Sequence, residues 1–226
     1  MKAITRWDGY KGEDVTHNVI TINNLPHSIP RTQWELHLRG EIVLPKSQLE
    51  KINQDRLARQ EQIFANARNA AAWSIKLLDS AIVAKRNLIC FVYDLLFCDE
   101  LTYTKIFWSE EKKSDWPTTV NQSDKVINFL KSQWLPIYER QKTNQNIKQI
   151  IDICNDEKQK KYFESQDIEF DGLVIKLENF VYRAIVWETN HHPKRAFAYK
   201  FPAHQVTTQL IDVTFQVWRT WILTPV

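Results

Sequence analysis

Glycine is in short supply: the chain has four in 226 residues, where about 16 would be usual at roughly 7%. Tryptophan runs the other way, with nine. Glycine serves left-handed turns and close backbone approaches, so a deficit this large marks something unusual at the positions where glycine is normally used. Paired cysteines are also missing. Cys90, Cys98 and Cys154 form no C-x-x-C, which excludes a zinc knuckle, argues against a disulfide framework and fits a reducing cytoplasm. The N-terminus has no apolar signal-like stretch, and the longest apolar run, Leu88 to Phe97, is broken by Asp94 and too short to span a bilayer. A soluble protein is expected. Neither G-x-G-x-x-G nor G-x-x-x-x-G-K-[ST] occurs, so the dinucleotide and P-loop motifs are excluded. With a net charge of +3 and a pI near 8.6, blanket polyanion binding is excluded too, and any such contact must be a local patch.

The size suits one domain with a single sizeable core. Residues 1 to 34 read as a strand end and polar loop without a helix, given the Asp8-Gly9 and Gly12-Glu13-Asp14 turns and the breakers Pro26 and Pro30. Glu35 to Leu44 alternates as a half-buried strand. Ser47-Gln-Leu-Glu50 matches a capping box opening a helix to about Gln62, its apolar side carrying Leu49, Ile52 and Leu57. A short Ala-rich helix follows over Asn69 to Leu78, and a buried strand over Leu88 to Tyr93. Residues 99 to 119 read as a loop-rich excursion. Helical spacing returns at Ser123 to Gln133 and, in a polar and solvated form, at about Asn144 to Phe163. Strands are expected at Gly172 to Leu177, Ala196 to Phe201 and Gln209 to Val217. Without regular βαβ alternation, this pattern favours an α+β domain with largely antiparallel sheets.

Two segments carry the most chemistry. Asp171 to Lys176 (DGLVIK) and Ala198 to Ala203 (AYKFPA) each place a lysine near the end of a short apolar strand. A lysine facing a pocket is costly to desolvate unless an anion meets it, so Lys176 and Lys200 suggest a phosphate-binding floor. Arg6, Glu41, Arg68 and Asp171 are the other charged candidates. His191-His192 has no carboxylate or thiol spacing to support a metal site.

The order of these segments resembles the adenylation domain of bacterial NAD-dependent DNA ligases. Thr5-Arg-Trp-Asp-Gly9 with Gly12-Glu-Asp-Val-Thr-His-Asn-Val19 is similar to TRGDG…GEDVT.NV, and Leu38-Arg-Gly-Glu-Ile42 to VRGE. Phe64 to Ser74 is similar to FANPRNAAAGS, a segment not shared with RNA ligases or capping enzymes, and the two lysine segments follow in the family's order. The resemblance implies a nucleotidyltransferase fold with peripheral helices, incomplete at its N-terminus. It implies a partial adenylation domain over residues 1–221, with 222–226 starting the link to an OB-fold domain. In that family a lysine attacks the α-phosphate of NAD with magnesium present. Nicotinamide mononucleotide leaves, AMP passes to the 5′-phosphate of nicked double-stranded DNA, and the 3′-hydroxyl displaces it. By resemblance Glu41 would contact the ribose, Arg6 the nucleotide, and Lys176 and Lys200 the adenylate phosphate. Arg68 and Lys76 would lie toward the nick phosphates, with Asp171 in support. The implied setting is a monomer in the bacterial cytoplasm, acting in DNA replication and repair without a membrane.

Two departures stand out. The family's attacking lysine lies in a K-x-D-G motif upstream of TRGDG, and no K-x-D-G occurs in the 226 residues. The chain thus resembles an internal fragment, with the zinc element of the family outside it, and is expected to be inactive alone. A non-catalytic nucleic-acid-binding remnant of the fold is the alternative. The second departure concerns Trp7, Trp73, Trp134, Trp187, Trp218 and Trp221, which fall where the family pattern reads glycine. Six such exchanges would overpack a fold severely, so these positions are expected to be glycine in the organism, encoded by UGA; a decayed copy drifting without selection is the rival account.

Overall fold

The computed structural model describes residues 1–5, 12–29, 35–98, 122–138, 146–178, 180–186, 194–202, 207, 209, 211–217 and 223–225. The expected excursion at 99–119 lies outside them, as do Arg6, Trp7, Trp187, His191, His192, Trp218 and Trp221.

Near the N-terminus the chain doubles back, with Val15 N–H donating to Ala3 C=O at 3.0 Å and Thr5 N–H to Glu13 C=O at 2.9 Å. Gly12 is required there: a Cβ would lie 1.7 Å from the Thr5 carbonyl oxygen. One helical turn follows, α1 (Thr16–Val19), in the region expected to lack helix. Asp14 Oδ1 accepts from Thr16 N–H at 3.0 Å and starts the turn, while Asn18 and Val19 bury its inner face. Tertiary burial therefore holds a helix too short to persist alone.

The central ladder pairs β1 (Leu36–Val43) with β2 (Ile89–Cys98) antiparallel, from Leu36↔Cys98 to Val43↔Ile89. Register shifts fall between His37/Leu38 and Arg39/Gly40. Between these strands lie α2 (Lys46–Ala58), α3 (Ala67–Ser74) and α4 (Ser80–Lys85). The expected capping box of α2 does not form. Pro45 is its N-cap, and no side chain caps it there; Ser47 instead bonds Asp167 twice, N–H to Oδ1 at 2.8 Å and Oγ to Oδ2 at 2.6 Å. Leu49 and Ile52 pack on the core, but Leu57 is exposed. α5 (Gln122–Ser132) closes this half with Val126, Phe129 and Leu130 buried.

The core gathers Val15, Val19, Ile22, Leu25, Leu44, Val83, Leu88 and Val92 with the inner faces of α3 and α5. Among the described residues its buried members all lie between residues 15 and 135, with Ala3 and Ile137 packed against them. The C-terminal portion is built differently. The single helix expected over 144–163 is broken at Asp156 into α6 (Ile147–Asn155) and α7 (Glu157–Ser165), since Asp156 is extended and its carboxylate accepts from Lys158 N–H at 2.9 Å. β3 (Gly172–Lys176) pairs with β4 (Ala196–Lys200), and α8 (Phe180–Ile185), absent from the sequence expectation, lies between them in the chain. β5 (Phe215–Val217), shorter than the strand expected from 209, pairs with β6 (Leu223–Pro225). Ring contacts run from Phe91 through Tyr138, Phe170, Phe163 and Phe201 to Tyr199, with centroids 5.0 to 6.1 Å apart. This aromatic row links β2 to β4 in place of a closed aliphatic core.

Candidate functional site

The DGLVIK and AYKFPA segments form one hairpin, and its register decides how the charges meet. Gly172 is opposite Lys200 and Lys176 opposite Ala196. Residues two apart on a strand share a face, so Lys200 and Lys176 stand on the same face at opposite ends of the ladder, about 13 Å apart at roughly 3.3 Å per residue. Gly172 cannot be replaced cheaply, because a Cβ would lie 2.0 Å from the Tyr199 carbonyl oxygen. This close approach brings the end of β4 against Asp171.

At that end Lys200 Nζ donates to Asp171 Oδ2 at 2.5 Å, and Arg68 Nη1 stands 3.4 Å from the same oxygen. The Lys200 hydrogen bond, assisted by the two positive charges, holds the Asp171 carboxyl below its usual range against an opposing contribution from burial. Arg68 reaches this point from the first turn of α3. Asn66 caps that helix, its side chain accepting from Asn69 N–H at 2.8 Å. Asn53 fixes the entry by clasping Phe64, donating to its C=O at 3.0 Å and accepting from its N–H at 2.9 Å.

Lys176, at the other end, donates to the Tyr93 carbonyl at 3.1 Å and lies 5.0 Å from the centre of the Tyr93 ring. Partial burial lowers its pKa, Arg183, Arg195 and Arg39 push the same way, and Asp94 opposes them. Lys176 is thus an ammonium in a positively charged neighbourhood, where an added anion would be favoured. Glu41 lies on β1 opposite Phe91, exposed, next to the irregularity at Arg39/Gly40. Its charge and burial together push the adjacent Cys90 thiol up to about 11, with burial the larger cause.

Lys76 belongs to a separate group. It follows α3, and its ammonium meets Glu13 at 2.9 Å. Asn18, fully buried, donates to the carbonyls on either side of it, Ile75 at 2.8 Å and Leu77 at 2.6 Å. The structure therefore brings Asp171, Lys200 and Arg68 together, sets Lys176 of β3 against Tyr93 of β2 with Glu41 on β1, the strand paired with β2, and sets Lys76 at the far end of α3.

Sequence reasoning missed Tyr93, Asp94, Arg183 and Arg195 as neighbours of Lys176, and Asn18 as the anchor of the turn at Lys76. The burial of Cys90 and Val92 leaves Phe91 and Tyr93 for the opposite face by strand alternation, a signal for Tyr93. Arg183 carried none, since α8 was not foreseen. Among the described residues no group of three or more His, Cys, Asp or Glu could hold a metal ion, and Asp171 is committed to Lys200 and Arg68.

Residues 1–204 match the family model of the NAD-dependent DNA ligase adenylation domain. The whole chain is 38% identical to a protein named DNA ligase from Fusobacterium nucleatum subsp. nucleatum, covering 30% of it. It is 36% identical to one from Sulfurihydrogenibium azorense and 34% identical to one from Bacillus subtilis, covering 31% of each. The chain thus spans about 30% of the length of these curated relatives.

Proposed function

Because this chain belongs to the NAD-dependent DNA ligase adenylation-domain family, we propose that it is the pocket-bearing part of an enzyme that seals nicks in duplex DNA through an enzyme-adenylate and a DNA-adenylate. The observation that carries this reading is the cluster of Lys200, Asp171 and Arg68, which joins the β3–β4 hairpin to the start of α3 within the matched segment. Phosphoryl transfer needs placed cations more than covalent help from the protein, because charge spreads over the phosphate oxygens as the bonds exchange.

In this reading Lys176 and Lys200 contact the adenylate phosphate from two ends of one strand face, and Asp171 holds the Lys200 ammonium in position through their hydrogen bond. Arg6 and Glu41 hold the nucleotide, Glu41 through the ribose hydroxyls. Arg68 extends the positive surface toward the 5′-phosphate of the nick, with Lys76 beyond it. Lysine there keeps the charge but lacks the paired donors of arginine. The attacking amine comes from a K-x-D-G lysine, absent from these 226 residues. Its nitrogen forms the bond to the α-phosphorus as the bond to the nicotinamide mononucleotide oxygen breaks. Magnesium, which usually takes one or two carboxylates together with substrate phosphates and water, would be held here largely through the nucleotide phosphates.

Residues 1–221 constitute the partial adenylation domain and 222–226 the link to an OB-fold, the enzyme acting as a monomer in the bacterial cytoplasm. No helix among the described residues is long and apolar enough to cross a membrane. Titrating the 226-residue chain with AMP tests the pocket: Lys200→Ala and Lys176→Ala each weaken binding by roughly tenfold or more, as losing a charge-assisted hydrogen bond does. Unchanged affinity in both variants rules the pocket out. Incubation with NAD and magnesium leaves the mass of the isolated chain unchanged, and an AMP adduct would contradict the assignment of the attacking lysine. Equal binding of nicked and intact duplex would favour the non-catalytic alternative.

A further inference from the structure

The end of α5 is made for a residue without a Cβ, and it holds a tryptophan. Trp134 has φ 61°, inside the left-handed region that glycine favours and that bulky residues rarely enter. The hydrogen bonds form a complete Schellman ending. Trp134 N–H donates to Lys131 C=O at 2.9 Å and Leu135 N–H to Leu130 C=O at 3.2 Å, the pair of reversed bonds that defines this motif. Leu130 and Leu135, the two residues whose apolar contact usually accompanies this ending, both belong to the core, 2% and 6% exposed. Every part of the motif fits its usual pattern except the side chain at its left-handed position.

That side chain gains nothing for its strain. The Trp134 residue is 79% exposed, whereas tryptophan normally buries most of its large surface. Two other helices end with non-glycine residues at positive φ, Asn87 after α4 (49°) and Gln60 after α2 (57°). Asparagine is the usual substitute for glycine there, and glutamine is unbranched and slender at Cβ and Cγ. Trp73 on α3 is exposed as well, at 69%, so neither tryptophan among the described residues belongs to the core. By contrast, the glycines that remain at 12, 40 and 172 all lie where a Cβ would come within 3 Å of a backbone oxygen.

We propose that residue 134 is glycine in the protein made by its own cells, its codon being UGA, read there by a glycine-charged transfer RNA. UGA is read as stop, tryptophan or glycine in different genetic codes, so a single wrong choice of code yields tryptophan at every such codon. This accounts jointly for four glycines, nine tryptophans and a left-handed cap occupied by an indole. It does not depend on the function proposed above.

Mass spectrometry of the protein purified from its native cells tests this directly on the tryptic peptide Ser132–Arg140 (SQWLPIYER). The expected peptide is lighter by the difference between tryptophan and glycine, with a UGA codon in the gene. A peptide of tryptophan mass, or a UGG codon, overturns the proposal. The recombinant chain supplies an independent arm. Trp134→Gly is expected to raise the folding equilibrium constant roughly fivefold to thirtyfold over Trp134→Ala, because only glycine is free of the left-handed penalty. Equal stability of these two variants would remove the structural basis of the proposal.

Discussion

The segment from residue 15 to 135 and the segment from 146 to 217 answer the same problem in different ways. The first closes an aliphatic core in which Ile22 and Leu44 are 1% exposed. The second leaves Val174, Phe197, Phe215 and Val217 between 59% and 70% exposed and coheres through tilted and edge-on aromatic contacts and polar contacts to the first. Lys46 and Ser47 at the start of α2 bond Glu164 and Asp167, Arg68 meets Asp171, and Lys176 caps the Tyr93 carbonyl. Arg68, Asp171, Lys200 and Lys176 thus collect along the line where the two segments meet. Cations there stay half solvated and available, while the packed segment supplies a rigid backing for Arg68.

The largest expected effect tests the packed side. Leu44→Ala should lower stability by about 2 to 5 kcal/mol in a urea titration, through lost transfer energy and a cavity. Phe197→Ala, on the exposed hairpin, should stay within about 0.5 kcal/mol; equal losses from the two would erase the contrast. Asn18→Ala should cost about 1 to 3 kcal/mol, because it strands the buried Ile75 carbonyl and takes one donor from the Leu77 carbonyl, which His17 Nε2 also approaches at 3.2 Å. Faster amide exchange at the turn around Lys76 would locate that loss.

Alkali and acid should separate the two segments. The Cys90 thiol, raised from 9.0 to about 11 in the fold, favours the folded state fully below pH 9. That contribution disappears as pH rises toward 11, an alkaline loss on the order of 2 kcal/mol that Cys90→Ala should abolish. The Asp171 carboxyl is lowered from 3.8, so its contribution is present above about pH 4 and fades as pH falls through the lower folded value. This smallest effect, under about 1 kcal/mol because the pair is solvated, should disappear in Asp171→Asn and show as earlier acid exposure of the β3–β4 hairpin.

Much of the packed segment was legible in the sequence. The alternation of Leu36, Leu38 and Ile42 marked β1, the apolar run from Leu88 marked β2, and the Ala-rich stretch from Asn69 marked α3, whose cap at Asn66 starts it earlier and whose end at Ser74 falls short of the expected Leu78. Local signals failed where a distant residue took over. Ser47 and Glu50 spell a capping box, but Asp167 claims Ser47 from 120 positions away. Asp156 breaks a helical pattern whose spacing is otherwise continuous, and α1 depends on Asn18 finding the 75–77 turn. Of the candidate site, the residue types and the two strands were readable, and the distribution of partners was not.

The sequence alone determined the charged candidates, their order along the chain, the family match and the excess of tryptophan over glycine, because each is a property of residue identity and spacing. Only the tertiary structure decided that Lys176 and Lys200 share a face at opposite ends of one hairpin, that Asp171 joins Lys200 to Arg68, and that Lys76 turns toward Glu13. Those depend on register and on contacts across many tens of residues, which no local pattern encodes. The same holds for residue 134: composition marks tryptophan as excessive, but only a backbone held at positive φ by its helix ending gives the physical reason for glycine there.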